Sequence, residues 1–267
     1  MRVQQIESDV HLAIGDAYDS NSTILVSGNE AMLIDALASK RDAEDLEKYI
    51  ERDIKAKVRF VICTHYFSDH LAGLTSFPES QIIAHKNYRH TFDLERYRTE
   101  EEKSFFVEPT ILISDEISIR WGRFRLNLFY NPGHTMSTIN VDVPQADLIH
   151  VGDTVVGNMV YISYSTPALF FTALEQIKRR NRKKLISSHL EVRSIGSIDH
   201  ALFYLRTLLR KAKELDYEEA SISKIELQSC LPEGVEGTPF EAIFHKRNLK
   251  IIAERKFADS PGEDATL

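Results

Sequence analysis

The chain has 267 residues and a formal net charge of −7 at pH 7, with 43% hydrophobic and 27% charged residues, values that are ordinary for a globular protein. The acidic balance argues against nucleic acid or an anionic membrane as the main partner. No apolar run reaches the length of a membrane span, and the N-terminus lacks an apolar signal core, so we expect a cytoplasmic protein. Its two cysteines, Cys63 and Cys230, are too few for a disulfide framework or a cysteine-rich metal site, so nitrogen and oxygen must hold any metal.

The first part of the chain predicts a sheet that begins with a hairpin and continues through a strand-helix-strand unit. Asp35 closes one of its strands. We favour a cap before Ser39 as the role of this carboxylate over support for a metal ligand, although one carboxylate could do both. The predicted elements are strands over 10–14, 22–26 and 30–35, an amphipathic helix over 40–54, a strand over 58–62, a short helix over 71–74, a strand over 81–85 and a helix from 86 onward.

The segment that follows the strand over 58–62 carries the densest group of candidate metal ligands. It runs Cys63-Thr64-His65-Tyr66-Phe67-Ser68-Asp69-His70 and places three such side chains within six residues. Ligands usually bind at the carboxyl ends of strands in open α/β sheets, and imidazole nitrogen with carboxylate oxygen suits zinc. From this segment alone, a metal site and a turn with a capping Asp and two surface histidines are equally supported.

Three further strand ends carry the same residue types. They are His134 in Pro132-Gly133-His134-Thr135, Asp153 in Gly152-Asp153-Thr154, and His189 after Ser187-Ser188. Four strand ends tipped with His or Asp favour a metal site over coincidence.

The second half of the chain predicts a further sheet, one helix that covers it, and a helical tail. Residues from Ser260 onward are polar and are expected to fray. The predicted strands are 111–113, 116–120, 123–129, 138–143, 147–151 and 184–188, and the predicted helices are 168–180, 201–215, 218–228 and 239–256.

In order and spacing, these four motifs resemble those of the metallo-β-lactamase-fold hydrolases. The resemblance covers about residues 8–195 and implies an α/β fold, the αββα sandwich, with a metal centre along one edge of two packed sheets. We therefore expect a metallo-β-lactamase-like domain over 1–195 and a helical C-terminal extension over 196–267 that packs on it. The tail around 241–248 resembles the extension of glyoxalase-II-like and SoxH-like members.

The resemblance also implies a ligand set for two metals, usually zinc, with iron or manganese as alternatives. The family motif is His-x-His-x-Asp-His, but Phe67 stands where the second His is expected. Because phenylalanine has no lone pair, the first site should bind its metal weakly unless a neighbour such as Tyr66 or His85 replaces the missing nitrogen. The implied first site is His65 and His134, the implied second site is Asp69, His70 and His189, and Asp153 bridges them.

We accordingly expect a metal-dependent hydrolase in which a hydroxide held by the metal attacks an ester, thioester, lactone or similar bond. Asp69, His134 and Asp153 are the candidate catalytic residues, and Tyr161, Tyr164 and Ser165 are candidates for the substrate pocket, although ordinary packing is the favoured interpretation of these three. The expected partner is a small-molecule substrate, and the helical tail could support a homodimer.

Two alternatives remain open at this point. A non-catalytic binding protein of the same fold would explain Phe67. A di-iron redox or oxygen-binding protein is less favoured, because such relatives usually carry a carboxylate at that position and a flavodoxin module.

Overall fold

Two β-sheets packed face to face form the centre of the structure, a computed structural model that describes residues 1–257. The polar tail predicted from Ser260 onward lies outside the described residues. The strands are β1 (Arg2–Glu7), β2 (Val10–Ile14), β3 (Asn21–Ser27), β4 (Glu30–Ile34), β5 (Lys57–Ile62), β6 (Gln81–His85), β7 (Ile111–Ile113), β8 (Glu116–Trp121), β9 (Phe124–Tyr130), β10 (Ile139–Val143), β11 (Leu148–His150), β12 (Lys184–Ile186) and β13 (Arg193–Ser194).

The order of the strands follows the chain. The first sheet runs from β1 to β7 in sequence, antiparallel as far as β4 and parallel from β4 to β7. The second sheet has the order β13-β12-β11-β10-β9-β8, and its only parallel pair among the described strands is β11 with β12. Parallel strands point their carboxyl ends to the same edge, which is where the candidate ligands follow.

Alternating side chains divide each central strand between two cores. Successive residues of a strand point to opposite faces. Leu25 and Ile34 therefore face the second sheet, in a core that also contains Leu128 of β9, whereas Ile24 and Leu33 face the helices outside the first sheet. Because both faces of the strands are buried, these segments are apolar runs without strict alternation of polar residues.

Helices cover the outer face of each sheet and complete four layers. Leu46 packs outside the first sheet, while Leu174, Leu205 and Ile252 pack outside the second. The fold is thus the αββα sandwich that the sequence motifs implied. The helices are α1 (Lys40–Lys48), α2 (Tyr88–Leu94), α3 (Glu100–Ser104), α4 (Pro167–Arg179), α5 (Ser197–Glu214), α6 (Glu219–Ile222) and α7 (Pro239–Arg255).

Two predicted helices are shorter than the sequence pattern suggested. The helix expected over 40–54 is α-helical only to Lys48 and continues as a π-helical turn, Tyr49–Ile54. The helix expected over 218–228 consists of α6 and a separate 3₁₀ turn, Leu227–Cys230. Every helix within residues 1–257 is too short or too polar to span a lipid bilayer. The division into units 1–195 and 196–267 stays a prediction, although α5 and α7 contribute directly to the core outside the second sheet.

Candidate metal centre

The predicted ligands meet at one edge of the sandwich, where backbone hydrogen bonds also join the two sheets. The Ile139 amide donates to the carbonyl of Thr64, and the Asn21 amide donates to that of Ser188. Each candidate comes from a strand end or the turn after it: His65 follows β5, Asp69 and His70 form the 3₁₀ turn Ser68–His70, His134 lies between β9 and β10, Asp153 follows β11, and His189 follows β12.

These six side chains form two clusters. Within each cluster, the potential ligand atoms all lie within 4.8 Å of one another. One cluster is His65, His134 and Asp153, and the other is Asp69, His70 and His189. Asp153 connects them, because its Oδ2 lies 3.2 Å from His189 Nε2, 3.7 Å from His70 Nε2 and 4.0 Å from His134 Nε2. The structure thus brings all six candidates together in these two groups, and their roles as metal ligands stay a prediction.

Asp35 supports this edge and does not cap a helix, so our preferred interpretation of its role was wrong. The side chain of Ser39, not Asp35, caps α1. The fully buried carboxylate of Asp35 accepts from the Thr64 amide at 2.7 Å and the Thr64 hydroxyl at 2.8 Å, and also from the hydroxyl of Ser188. It therefore joins the ends of β4, β5 and β12 immediately before His65 and His189.

A glycine lets the Asp153 turn approach β5. Gly152 has a φ of +58°, and a Cβ built on it would lie 3.0 Å from Thr64 Oγ1 and 3.1 Å from Thr64 Cβ. Any larger residue would be strained and would displace the turn that carries Asp153.

Three of the histidines hold their Nδ1 atoms in hydrogen bonds and leave Nε2 for the site. Nδ1 of His134 is 3.3 Å from the Tyr161 carbonyl, Nδ1 of His189 is 2.9 Å from the Tyr18 carbonyl, and Nδ1 of His65 is 3.0 Å from the Thr64 hydroxyl. Since a carbonyl only accepts, Nδ1 donates in the first two pairs, so Nε2 carries the lone pair whenever the ring is neutral; in His189 that Nε2 lies 3.2 Å from Asp153 Oδ2. Metal-binding imidazoles are commonly oriented in this way.

Several buried atoms of the site have no hydrogen-bond partner among the described residues. They include Nε2 of His65, both ring nitrogens of His70, Nε2 of His134 and Oδ1 of Asp153. Unpaired buried polar atoms are costly, yet here they belong to the residues of the two ligand clusters. The donor set therefore fits a divalent cation such as zinc, which takes imidazole nitrogen and carboxylate oxygen.

The electrostatics of the two clusters differ. Burial disfavours charge on His70 and His189, but the neighbouring carboxylates outweigh burial. The pKa of His70 is raised to about 10, chiefly by Asp69, and the pKa of His189 is raised chiefly by Asp153. Burial lowers the pKa of His134, and burial together with the charge on His70 lowers that of His65 well below its usual range. The second cluster thus has the stronger demand for positive charge, which a bound cation would satisfy in place of protons.

Phe67 occupies the open side of the first cluster. Its ring centroid lies 5.1 Å from that of His65 and 5.5 Å from that of His134, and it contacts both rings edge-on. Neither proposed substitute joins the cluster: the Tyr66 hydroxyl donates to the carbonyl of Val107, and His85 stacks on Tyr130 at 4.2 Å. The first cluster is therefore left with two imidazoles and the shared carboxylate.

Glu95 is a polar residue of the site that the sequence did not indicate. Its carboxylate accepts from the Ser68 amide at 2.7 Å and the Ser68 hydroxyl at 3.2 Å, which fixes the turn that carries Asp69 and His70. Burial, and then the charge of Asp69, raise the pKa of Glu95 to about 7. No local pattern marks this residue, because it follows α2 and reaches the site only through the fold.

A cavity of about 400 Å³ opens over the metal-binding edge. Tyr161 and Tyr164 both line it, so ordinary packing was the wrong preference for these two, whereas Ser165 is buried and its carbonyl accepts from Arg255. Helix α7 closes the cavity with residues at i, i+3, i+4 and i+7 spacing, a pattern that marks one helix face in the sequence but does not tell a cavity wall from a buried core. These residues are Phe240, Ile243, Phe244 and Arg247.

The fold and the two ligand clusters define a class of protein, the metal-dependent hydrolases of the αββα sandwich. Comparison with known proteins agrees: the family described as "Metallo-beta-lactamase superfamily" matches residues 15–196, and the chain belongs to it. Proteins of this superfamily bind metal ions, usually zinc, and membership places the chain among metal-dependent hydrolases. The predicted family and fold are thereby confirmed.

Individual relatives are distant. A metallo-beta-lactamase type 2 from Bacillus cereus is 26% identical over 204 residues, which cover 72% of this chain and 75% of that protein. A hydroxyacylglutathione hydrolase from Brucella ovis is 25% identical over 177 residues, or 65% of this chain and 62% of the relative. The solved structure of a metallo-beta-lactamase from Pontibacter korlensis superposes with a TM-score of 0.62 at 18% identity, covering 74% of this chain and 95% of the other. The comparisons do not support the expected homodimer, which stays a prediction.

Proposed function

We propose that this chain hydrolyses an ester, thioester, lactone or similar bond with one firmly held divalent cation, zinc being the expected ion. The observation that carries this proposal is the unequal pair of clusters. Asp69, His70 and His189 form a complete set beside Asp153, whereas the ring of Phe67 takes the place of a nitrogen in the other set.

The residues of the two clusters have different proposed roles, which their geometry supports. Asp69, His70 and His189, with Asp153 between the clusters, would hold the cation. A bound divalent cation supplies Lewis acidity, which polarises a carbonyl and makes water more acidic. His65 and His134, left without a full ligand set, present Nε2 lone pairs to the same space and can accept or orient a water proton there.

Asp69 and Asp153 are the carboxylates nearest the reacting space. Asp153 is buried, but the charges of His189 and His70 outweigh burial and hold its pKa well below the usual range, so it is ionised and can accept a hydrogen bond from a water that is to be deprotonated. Asp69 is partly exposed and lines the cavity, and it is held by the turn that Glu95 fixes. We therefore assign general acid-base roles to Asp69, His134 and Asp153.

Metal content per chain tests the proposal. Protein purified without added metal should contain about one equivalent of zinc, and Phe67→His should raise the content toward two equivalents because it restores the third nitrogen of the first cluster. Phe67→Leu is the matched control, since it removes the ring without adding a donor and should leave the content at one.

Each other outcome has a defined meaning. Two equivalents in the wild type, or no gain in Phe67→His, would contradict the account of Phe67. No bound metal in either protein would contradict the hydrolase proposal and leave a binding protein of the same fold. Where metal is bound, a panel of esters, thioesters and lactones would then identify the bond that is cleaved.

A further inference from the structure

Arg247 is a cation at the rim of the cavity whose charge the fold does not use. It lies on α7 and is exposed, and its guanidinium has no ion-pair or hydrogen-bond partner in the part of the chain that the structure describes. Its guanidinium carbon lies 5.0 Å from the ring centroid of Phe244 and 6.0 Å from that of Tyr161. These rings hold the side chain beside the cavity and leave its planar N–H donors available.

The carboxylates that line the same cavity are already engaged. Both oxygens of Glu95 accept hydrogen bonds from Ser68, and the carboxylate of Glu102 accepts from the amide and hydroxyl of Thr99 at the start of α3. Asp69 and Asp153 face the histidines of the metal centre. Each of these carboxylates is turned to a partner other than Arg247, so the guanidinium stays available to a ligand at the rim.

Aromatic side chains connect this cation to the metal centre. The ring of Tyr161 lies 5.8 Å from that of His134 and 4.9 Å from that of Phe244, and Phe244 lies 4.8 Å from Phe240. Phe67 and Tyr164, which also line the cavity, lie 5.5 Å apart between ring centroids. A ligand that extends from the metal centre to Arg247 thus passes along aromatic surfaces.

We propose that the substrate carries an anionic group, in the simplest case a carboxylate, that binds the guanidinium of Arg247, and a flat apolar portion between this group and the bond that is hydrolysed. The guanidinium offers a carboxylate two parallel N–H donors, and the aromatic walls stack on the apolar portion. This inference rests on the proposed hydrolase function and specifies the substrate class of the same site.

The test is a calorimetric titration of the protein as purified with two probes of equal shape, 4-phenylbutyrate and the neutral 4-phenylbutanamide. Wild type should bind the carboxylate about 10-fold more tightly than the amide, and Arg247→Gln should reduce this preference to about 2-fold or less. Lys246→Gln removes the same charge from the neighbouring exposed position outside the cavity and should keep the full preference. Arg247→Lys should keep only part of it, because an ammonium lacks the planar pair of donors.

The ratio of the affinities for the two probes is compared between variants whose metal content has been measured and is equal. Any attraction of the probe's carboxylate to the metal is then the same in each variant and cancels. A preference that survives in Arg247→Gln would overturn the proposal, as would equal binding of the two probes by wild type or binding of neither. Such a result leaves the metal content and hydrolysis results untouched. Conversely, an Arg247-dependent preference in a protein that holds no metal would support the anion site and contradict the hydrolase.

Discussion

The prediction that tests the architecture of the site most directly is Asp35→Asn. Asn is the least disruptive choice because Asp35 has a φ of +58°, which Asn tolerates better than most residues. The amide has one acceptor oxygen where the carboxylate has two, so it cannot accept from the Thr64 amide, the Thr64 hydroxyl and the Ser188 hydroxyl as Asp35 does.

The magnitude follows from those contacts. Charge-assisted hydrogen bonds contribute about 1.5–3 kcal/mol each, so removing one of the three and weakening the other two should lower the free energy of unfolding by about 2–4 kcal/mol. Because Thr64 and Ser188 immediately precede His65 and His189, loosening them should also lower zinc affinity by about 10- to 100-fold, as is typical when an outer partner of a ligand is lost.

Urea unfolding and competition with a zinc chelator measure the two effects. Asp142→Asn is the matched control. Asp142 lies on β10 and is also a buried carboxylate, but it pairs with Nε of Arg182 at 2.6 Å and belongs to neither ligand cluster. It should lose stability and keep zinc affinity. If Asp35→Asn unfolds like wild type, or loses no more zinc affinity than Asp142→Asn, the supporting role of Asp35 is refuted.

Two further predictions concern the C-terminal extension. Glu241→Ala should lower the free energy of unfolding by about 3–5 kcal/mol, measured by urea titration. Each oxygen of this buried carboxylate accepts a hydrogen bond from a backbone amide, that of Asn158 at 2.5 Å and that of Thr238 at 2.7 Å. The control is Glu102→Ala in the more exposed capping box of α3, which should cost about 1 kcal/mol in the same titration. Burial lowers the pKa of His245 from 6.5, so the folded state binds a proton at this imidazole less readily than the unfolded state does. The contribution of neutral His245 to the free energy of unfolding is therefore complete above pH 6.5 and is lost as the pH falls below that value. The difference in urea midpoint between pH 7.5 and pH 5 should therefore be smaller in His245→Gln; an unchanged difference would contradict this assignment.

The sequence indicated the candidate ligands that the fold brings together because their signal is local. A His or Asp directly after an apolar strand can be recognised without knowing which strands are neighbours, and the fold then brings His65, His134, Asp153 and His189 to one edge. The roles that depend on distant partners were not predictable in this way. Asp35 was assigned to the nearest helix, since a single sequence does not show that β4 ends beside β5 and close to the end of β12.

Residues of the cavity were missed for a related reason. Glu95 belongs to a polar segment after α2, and only the packing of that segment against the Ser68–His70 turn gives it a function. Phe240 and Phe244 are indistinguishable in sequence from core residues of an amphipathic helix, which is the commoner arrangement. The departure at Phe67, by contrast, was visible at once, because the motif states which residue type is expected there.

Helix α7 explains why the extension and the metal centre act as one structure. Its buried face binds the segment after Asp153: Asn248 Oδ1 accepts from the Ile162 amide at 2.7 Å, and Asn248 Nδ2 donates to the Val160 carbonyl at 2.7 Å. Between those two residues lies Tyr161, whose carbonyl accepts from Nδ1 of His134. The helix that presents Phe244 and Arg247 to the cavity therefore also fixes the carbonyl that orients an imidazole of the first cluster, so the shape of the cavity and the direction of that lone pair cannot change independently.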